Sequence, residues 1–262
     1  MNAHPALIVL VAALATTPAA ARDRADPPGL RSAELLPVAT APDGSRVTAM
    51  RLVLEPGWKT YWRSPGDSGM PPGFDWSGST NLAAAEPQWP RPEVILSDGD
   101  RTLGYHDELV LPFQVRPQGP GPVALDVTVT LGLCENVCVP ATLRLTASDA
   151  AGGPDPRIGQ ALALVPAVST VRPACRLADI SDGVRLSAAL PDLPGDPAVA
   201  MELAEDGIWV SQPDLARAGG RLTATADFVP PAAAPFPLDP AKLRVTVIGD
   251  GNAVEYRGCA PS

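Results

Sequence analysis

The stretch VALDVTVTLGLCENVCVPATLRL, residues 123–145, decides the fold that we predict for this chain. Apolar residues occupy alternate positions from Val123 to Leu133, and the alternation resumes from Val139 to Leu145 after a short break. A period of two is typical of a strand with one buried face. The stretch therefore predicts a β-hairpin whose loop lies between Cys134 and Cys138.

The two cysteines of this hairpin are separated by three residues. A three-residue loop makes positions i and i+4 cross-strand neighbours, with Cβ atoms about 4.5–5.5 Å apart and close to disulfide geometry. Both cysteines have the parity opposite to the Val/Leu face, so we expect both to point away from the core towards an accessible surface. Pro140 cannot donate a ladder hydrogen bond, which predicts an edge strand.

The rest of the chain also favours strands over helices. The 32 prolines among 262 residues argue against a helical bundle. Strands are predicted at 47–54 and 108–115, a terminal hairpin at 243–256, and a short helix capped by Asp155 and ending near Leu164. We predict an all-β fold: an antiparallel β-sandwich over 34–147, a linker with a short helix over 148–170, and a second, smaller β-sandwich-like module over 171–262.

The N-terminus predicts export. Residues 1–21 combine a short apolar run with small residues at the cleavage positions, as in a signal peptide cut before Arg22. No later stretch reaches the length of a membrane span, so the mature protein is predicted to be periplasmic and not membrane-spanning. A net charge of −9 argues against nucleic-acid binding.

An even number of cysteines in an exported chain predicts disulfides. Four cysteines allow three pairings, and the hairpin spacing favours Cys134 with Cys138. Cys175 and Cys259 would then close a loop worth ~4.5 kcal/mol in the chain-entropy model, which suits a structural staple. A second redox pair and shuffled pairings stay open as alternatives. The hairpin bridge itself gains only ~2 kcal/mol, which leaves both a redox and a structural role open.

Three segments resemble the N-terminal (alpha) domain family of DsbD, and within it the ScsB-like branch. These segments are VTLGLCENVCVP at 129–140, GWKTYW at 57–62 and LGYHDELVLP at 103–112. The resemblance covers residues 34–147, and less specifically the second module. It implies an immunoglobulin-like sandwich with a surface disulfide that passes reducing equivalents in the periplasm by thiol–disulfide exchange.

The resemblance also implies roles and partners. Cys138 would form the mixed disulfide with partner proteins, and Cys134 would resolve it. The cysteine spacing is shorter than in DsbD, and the membrane electron-transfer domain and the thioredoxin domain are absent from this sequence. The implied partners are therefore a separate membrane thiol–disulfide electron-transfer protein and periplasmic thioredoxin-fold proteins, with no cofactor.

Aromatic residues near the family segments are candidates for shielding the disulfide. Tyr61 and Trp62 either flank the disulfide or belong to the core, and Tyr105 ends a segment, 98–105, that resembles the family's cap. We expect Trp76 and Trp89 in the core. The carboxylates of Asp100, Asp107 and Glu108 are expected to be solvated or to act on a thiol pKa, and His106 is predicted to be a surface histidine.

Two other function classes fit the cysteines. Two thiolates in an accessible hairpin suit Cu(I), although the chain has no methionine-rich stretch. Tetrahedral zinc fits less well, because two cysteines and one distant histidine fall short of four ligands. A non-redox adaptor with two structural disulfides and an exposed edge strand is the third hypothesis.

Overall fold

The computed structural model describes residues 27–260 except residues 42, 67, 98, 151, 152 and 206. The predicted signal peptide, residues 1–21, lies outside the described residues. Within the described part, strands dominate and helices are short, so the all-β expectation is confirmed. No helix there combines the length and the hydropathy that crossing a bilayer requires.

The first half of the chain forms two antiparallel sheets. Its strands are β1 (Leu30–Leu35), β2 (Ala39–Thr40), β3 (Arg46–Leu54), β4 (Lys59–Tyr61), β5 (Gly73–Asp75), β6 (Leu82–Pro87), β7 (Glu93–Ser97), β8 (Asp100–His106), β9 (Glu108–Pro117), β10 (Ala124–Cys134) and β11 (Cys138–Ser148). One sheet has the order β1-β3-β9-β6, with β2 on β3. The other has the order β11-β10-β4-β8-β7, with β5 on β10.

The second half begins with a helix and continues as two further sheets. Its elements are α1 (Pro156–Leu162), β12 (Ala167–Val168), β13 (Ala174–Ile180), β14 (Gly183–Pro191), β15 (Ala198–Leu203), β16 (Trp209–Val210), β17 (Asp214–Ala218), β18 (Arg221–Val229), a 3-10 helix (Pro240–Lys242), β19 (Leu243–Ile248) and β20 (Ala253–Arg257). The sheet orders are β12-β20-β19-β15 and β13-β14-β18-β16, with β17 on β18.

The predicted elements agree with those observed. Strands occupy both halves of the 123–145 stretch, and the terminal hairpin is β19 and β20. The helix starts as expected, because the Asp155 side chain accepts a hydrogen bond from the Arg157 N–H. It ends at Leu162, slightly earlier than predicted.

The main core lies between the two sheets of the first half. The alternate apolar residues of β10 face this core, and Leu131 and Leu133 are fully buried there. The expectation for the tryptophans is confirmed: Trp89 is a core residue, and the Trp76 ring packs edge-on against Phe113 with centroids 5.1 Å apart. The period-two pattern therefore fixes which side of β10 is inside the sandwich.

Arg63 joins the first half to the second. Its guanidinium donates to both carboxylate oxygens of Glu202 at 3.1 Å and to Glu255 at 2.9 Å. It also lies 4.1 Å from the centroid of the Trp62 ring, a cation–π distance. Since the Glu255 side chain is almost fully buried and also pairs with Arg257, this cluster is a partly desolvated charge network between the two halves.

Candidate functional site: the Cys134–Cys138 hairpin

The hairpin register places the two cysteines directly opposite each other. Cys134 is the last residue of β10, Cys138 is the first of β11, and the two are ladder partners. Their Cα atoms are 4.1 Å apart and their sulfur atoms form a disulfide. The predicted edge position also holds, because β11 is the outer strand of its sheet and Pro140 is exposed there.

The two sulfurs differ in accessibility, which corrects part of the sequence-based expectation. Cys138 is exposed, as predicted, whereas Cys134 is only 1% exposed. Cys134 does face away from the main core, but β4 lies beside β10 and pairs Lys59 with Cys134. Parity alone could not reveal this neighbouring strand. An attacking thiol can therefore reach the sulfur of Cys138 and not that of Cys134.

Tyr61 makes direct contact with the disulfide. Its hydroxyl lies 2.9 Å from the Cys134 sulfur, to which it donates, and 3.3 Å from the Cys138 sulfur. The side chain is buried, and this burial raises the pKa of the Tyr61 hydroxyl above its ordinary value. The group therefore remains a hydrogen-bond donor throughout the neutral pH range.

Two glycines make room for the Tyr61 ring. A Cβ atom at Gly132 would lie 3.2 Å from two ring carbons, and one at Gly69 would lie 2.8 and 2.9 Å from two others. Gly132 is on β10, two residues before Cys134, and Gly69 belongs to the segment that follows β4. The ring is thus held between sheet backbone and loop backbone, with its hydroxyl over the disulfide.

The disulfide opens into a pocket of about 510 Å³. Its lining includes both cysteines, Tyr61, Lys59 and Met70. Met70 lines the pocket and is 38% accessible, and Val137, next to Cys138 in the hairpin loop, is 72% accessible. The site therefore combines the exposed Cys138 with exposed apolar side chains on which another protein surface can pack.

Trp62 and Tyr105 do not lie at the disulfide: of the two alternatives for Trp62 the core position is the one observed, and the expectation that Tyr105 belongs to a cap is corrected. Trp62 is fully buried in the main core, on the opposite face of the strand from Tyr61. Tyr105 is also a core residue and donates its hydroxyl to the Pro90 carbonyl at 2.7 Å. Successive residues of a strand point to opposite faces, so Tyr61 and Trp62 cannot share one side.

The cap-like segment 98–105 forms most of β8 and approaches the disulfide through other residues. Asp100 and Thr102 line the disulfide pocket. Thr102 is buried, and its hydroxyl has no hydrogen-bond partner among the described residues. Residues of even number on β8 thus face the site, while Leu103 and Tyr105 face the core.

The remaining polar candidates lie at the surface. His106 bonds through Nδ1 to the Glu93 carboxylate at 2.8 Å, in line with a surface histidine. Glu108 is paired with Arg51, and Asp107 occupies the turn between β8 and β9 with a φ of 56°. Of the three carboxylates singled out from the sequence, only that of Asp100 reaches the pocket.

Sequence reasoning missed Lys59, which the fold brings to the site. It is 8% exposed, pairs with Cys134 on one side and with His106 on the other, and lines the disulfide pocket. The alternation in Lys59-Thr60-Tyr61-Trp62 contained the signal. If Trp62 is a core residue, then Lys59 and Tyr61 share the other face.

Cys175 and Cys259 form the second disulfide. Cys175 is on β13 and Cys259 follows β20, at a sequence separation of 84 and a Cα separation of 5.7 Å. Both side chains pack against the core of the second half. In the described part of the chain, this bond has no tyrosine hydroxyl against its sulfurs.

Comparisons with known proteins found a matching family model and a solved structure of similar fold. The sequence model of the family described as "Thiol:disulfide interchange protein DsbD, N-terminal" matches residues 32–150. The crystal structure of the N-terminal periplasmic domain of ScsB from Proteus mirabilis superposes with a TM-score of 0.63 and 23% identity, covering 88% of this chain and 100% of that chain. That likeness is one of fold.

A second solved structure covers a smaller part of the chain. The reduced N-terminal domain of DsbD from Neisseria meningitidis aligns with a TM-score of 0.30 and 16% identity, over 45% of this chain and 86% of that chain. No curated protein sequence matches the chain.

Proposed function

We propose that the chain is a periplasmic thiol–disulfide exchange protein, on the premise that residues 32–150, which match the DsbD N-terminal family model, act as a domain of that family. The observation that carries the proposal is the asymmetry of the hairpin bond. Cys138 is exposed beside apolar side chains, and Cys134 is buried with a tyrosine hydroxyl against its sulfur. Such an arrangement directs an incoming thiolate to Cys138.

In the accepting direction, a thiolate of a membrane electron-transfer partner attacks the Cys138 sulfur. A bond forms between the partner sulfur and Cys138, the Cys134–Cys138 bond breaks, and its electron pair stays on the Cys134 sulfur. A second thiolate of the partner then attacks the partner sulfur that is bonded to Cys138. The partner leaves as a disulfide, and Cys134 and Cys138 are left reduced.

In the delivering direction, the Cys138 thiolate attacks the disulfide of a periplasmic thioredoxin-fold protein. One partner sulfur leaves as a thiolate while the other forms a bond to Cys138. The Cys134 thiolate then attacks the Cys138 sulfur, which re-forms the hairpin bond and releases the partner in its dithiol form. Cys138 is the contact residue in both directions, and Cys134 is the resolving residue.

The proposal includes the organisation predicted above: an exported chain with residues 1–21 removed, an exchange domain over 34–147, a linker over 148–170 and a second module over 171–262 stapled by Cys175–Cys259. Amino-terminal sequencing of the protein recovered from the periplasm tests the first part. The expected sequence begins at Arg22.

A thiol-trapping redox titration tests the exchange function. The full-length mature protein is equilibrated in dithiol buffers, free thiols are trapped, and the opened bonds are identified by peptide mass. We expect Cys134–Cys138 to open while Cys175–Cys259 and the circular dichroism spectrum are unchanged. If the hairpin bond opens only together with unfolding, the bond is structural and the exchange function is wrong.

Partner capture tests the assignment of roles, and the hairpin supplies its own matched control. Cys134→Ala leaves the exposed Cys138 thiol, which should accumulate a mixed disulfide with thioredoxin-fold proteins. Cys138→Ala leaves only the buried Cys134 thiol and should capture far less. Equal capture by the two variants would contradict the assignment of Cys138 as the contact residue.

A further inference from the structure

Lys59 holds an unusual position in a chain that has only two lysines among its 20 Lys and Arg residues. It is the direct cross-strand neighbour of Cys134, so the two side chains leave the sheet on the same face with Cβ atoms about 4.5–5.5 Å apart. Both residues line the disulfide pocket, and both are buried. The other lysine, Lys242, is exposed and paired with Glu205 at 2.9 Å.

The exchange reaction creates a negative charge at this point. When Cys138 is attacked, the electron pair of the broken bond stays on Cys134, whose side chain is nearly inaccessible to water. Burial disfavours a charged thiolate, and a thiol with a high pKa is a poor leaving group. The hydrogen bond from Tyr61 offsets part of this penalty. A cation on the neighbouring residue of the sheet offsets more, because charge interactions are stronger where water is excluded.

We propose that Lys59 stabilises the thiolate that forms on Cys134, and thereby sets both the leaving-group quality of Cys134 and the ease with which the hairpin bond is reduced. The inference rests on the proposed function and extends it. A compact ammonium on a flexible stem suits a single sulfur anion better than the planar fork of arginine, which fits carboxylates and phosphates.

Other charged groups surround Lys59. Asp100 and Glu135 line the same pocket, and both are exposed, so water screens their effect on Cys134. His106 on β8 is the cross-strand neighbour of Lys59 on the side away from Cys134, and its ring is hydrogen-bonded to the Glu93 carboxylate. Tyr61 is neutral around pH 7. Among the described residues, Lys59 is thus the buried cation nearest to Cys134 along the sheet.

The test measures the titration of Cys134 in the full mature protein after mild reduction of the hairpin bond. The NMR chemical shift of each cysteine Cβ, which needs no reagent to reach the buried sulfur, is followed against pH in the wild type and in Lys59→Met, Lys59→Arg and Lys242→Met. Methionine keeps the length and the apolar packing of the lysine stem. Lys242→Met is the matched control, since it removes the one other lysine at a distant, exposed position.

We expect Lys59→Met to raise the pKa of the Cys134 thiol by about one unit, because a neighbouring cation favours a thiolate. In Lys59→Arg the pKa of the Cys134 thiol should stay close to its wild-type value, and in Lys242→Met it should not change. The equilibrium constant for reducing the hairpin bond should fall by up to about tenfold in Lys59→Met at a pH above the wild-type thiol pKa. The difference should vanish at a pH below it, where Cys134 is protonated in both proteins.

The pH profile separates a charge effect from a structural one. A Lys59→Met variant that is well folded yet leaves the Cys134 titration unchanged would overturn the inference. So would a change in the reduction equilibrium of equal size at every pH, which is the signature of altered packing. If the wild-type hairpin bond does not open without unfolding, the proposed function itself fails, so the two failures are distinguishable.

Discussion

The two disulfides of this protein close loops of very different length. Cys134–Cys138 links residues four apart in a hairpin that the strand ladder already holds together. Cys175–Cys259 links residues 84 apart, from the first strand of its sheet to the tail that follows β20. A cross-link restricts the unfolded chain more when its loop is longer. On loop length, the Cys175–Cys259 bond is the one expected to stabilise the fold, and this agrees with the exchange role that we propose for Cys134–Cys138.

The largest expected difference is in the free energy of unfolding. Replacing Cys175 and Cys259 by alanine should lower it by ~4.5 kcal/mol, and replacing Cys134 and Cys138 by only ~2 kcal/mol, from the loop lengths alone. Urea unfolding of the two double variants and of the oxidised wild type measures both values. Equal losses would show that loop length does not distinguish the two bonds.

A smaller effect is expected from Arg63, which connects the region of one disulfide to that of the other. Arg63→Met should lower the free energy of unfolding by about 2 kcal/mol, less than the 3–5 kcal/mol of a fully buried pair, because Glu255 retains Arg257. Arg51→Met is the control, since its partners Glu34 and Glu108 are largely exposed and such pairs are worth about 0–1 kcal/mol. Similar losses in both variants would contradict a special role of Arg63.

Two buried tyrosines allow a sharper separation of stability from redox chemistry. Tyr61→Phe should reduce the rate of hairpin exchange by about tenfold, the equivalent of a hydrogen bond of ~1.5 kcal/mol to a charged sulfur. Tyr105→Phe should leave exchange unchanged but lower the free energy of unfolding by ~1 kcal/mol, because the Pro90 carbonyl loses its donor.

Both tyrosine variants are compared by stopped-flow exchange with a small dithiol and by urea unfolding. The opening of Cys175–Cys259 serves as an internal control in the same samples. Slower exchange in Tyr105→Phe would mean that the core face of the sheet also acts on the disulfide.

The smallest expected effect is on how the free energy of unfolding decreases at alkaline pH. Burial raises the pKa of Tyr61 and Tyr256, and raises that of Tyr105 well above its ordinary value. The neutral hydroxyl is therefore favoured in the folded state. This stabilisation is complete below pH 10 and is lost as the pH rises through the folded-state values.

Urea midpoints of the oxidised protein, taken without free thiols from pH 8 upwards, should fall above about pH 10. The fall should be shallower in Tyr105→Phe, since Tyr105 has the strongest shift. If Tyr105→Phe has the same pH profile as the wild type, Tyr105 is excluded as the cause of the fall in the urea midpoint.

The alternation of residues was enough to predict the hairpin and its register. Val and Leu at every second position of β10 identified the core face, and the three-residue loop then placed Cys134 opposite Cys138, as observed. The same parity applied to β4 and β8 would have placed Tyr61 at the disulfide and Tyr105 in the core. β4 has only three residues, in which a period is hard to recognise, and β8 was interpreted from the sequence as a cap-like segment.

The burial of Cys134 could not be predicted from local pattern. It depends on which strand lies beside β10, and that neighbour, β4, comes from more than 70 residues earlier in the chain. The pairing of Lys59 with Cys134 has the same origin. Long-range strand order is set by the packing of the whole sandwich, and period two within one strand contains no information about it.

The ladder between β10 and β11 has a kinetic consequence. Because it continues to the last residue pair, reduction leaves the two thiols facing each other instead of releasing a flexible loop. The resolving attack is then unimolecular, with an effective concentration well above that of a flexibly tethered thiol. In the proposed exchange, a partner bonded to Cys138 would consequently be a short-lived adduct.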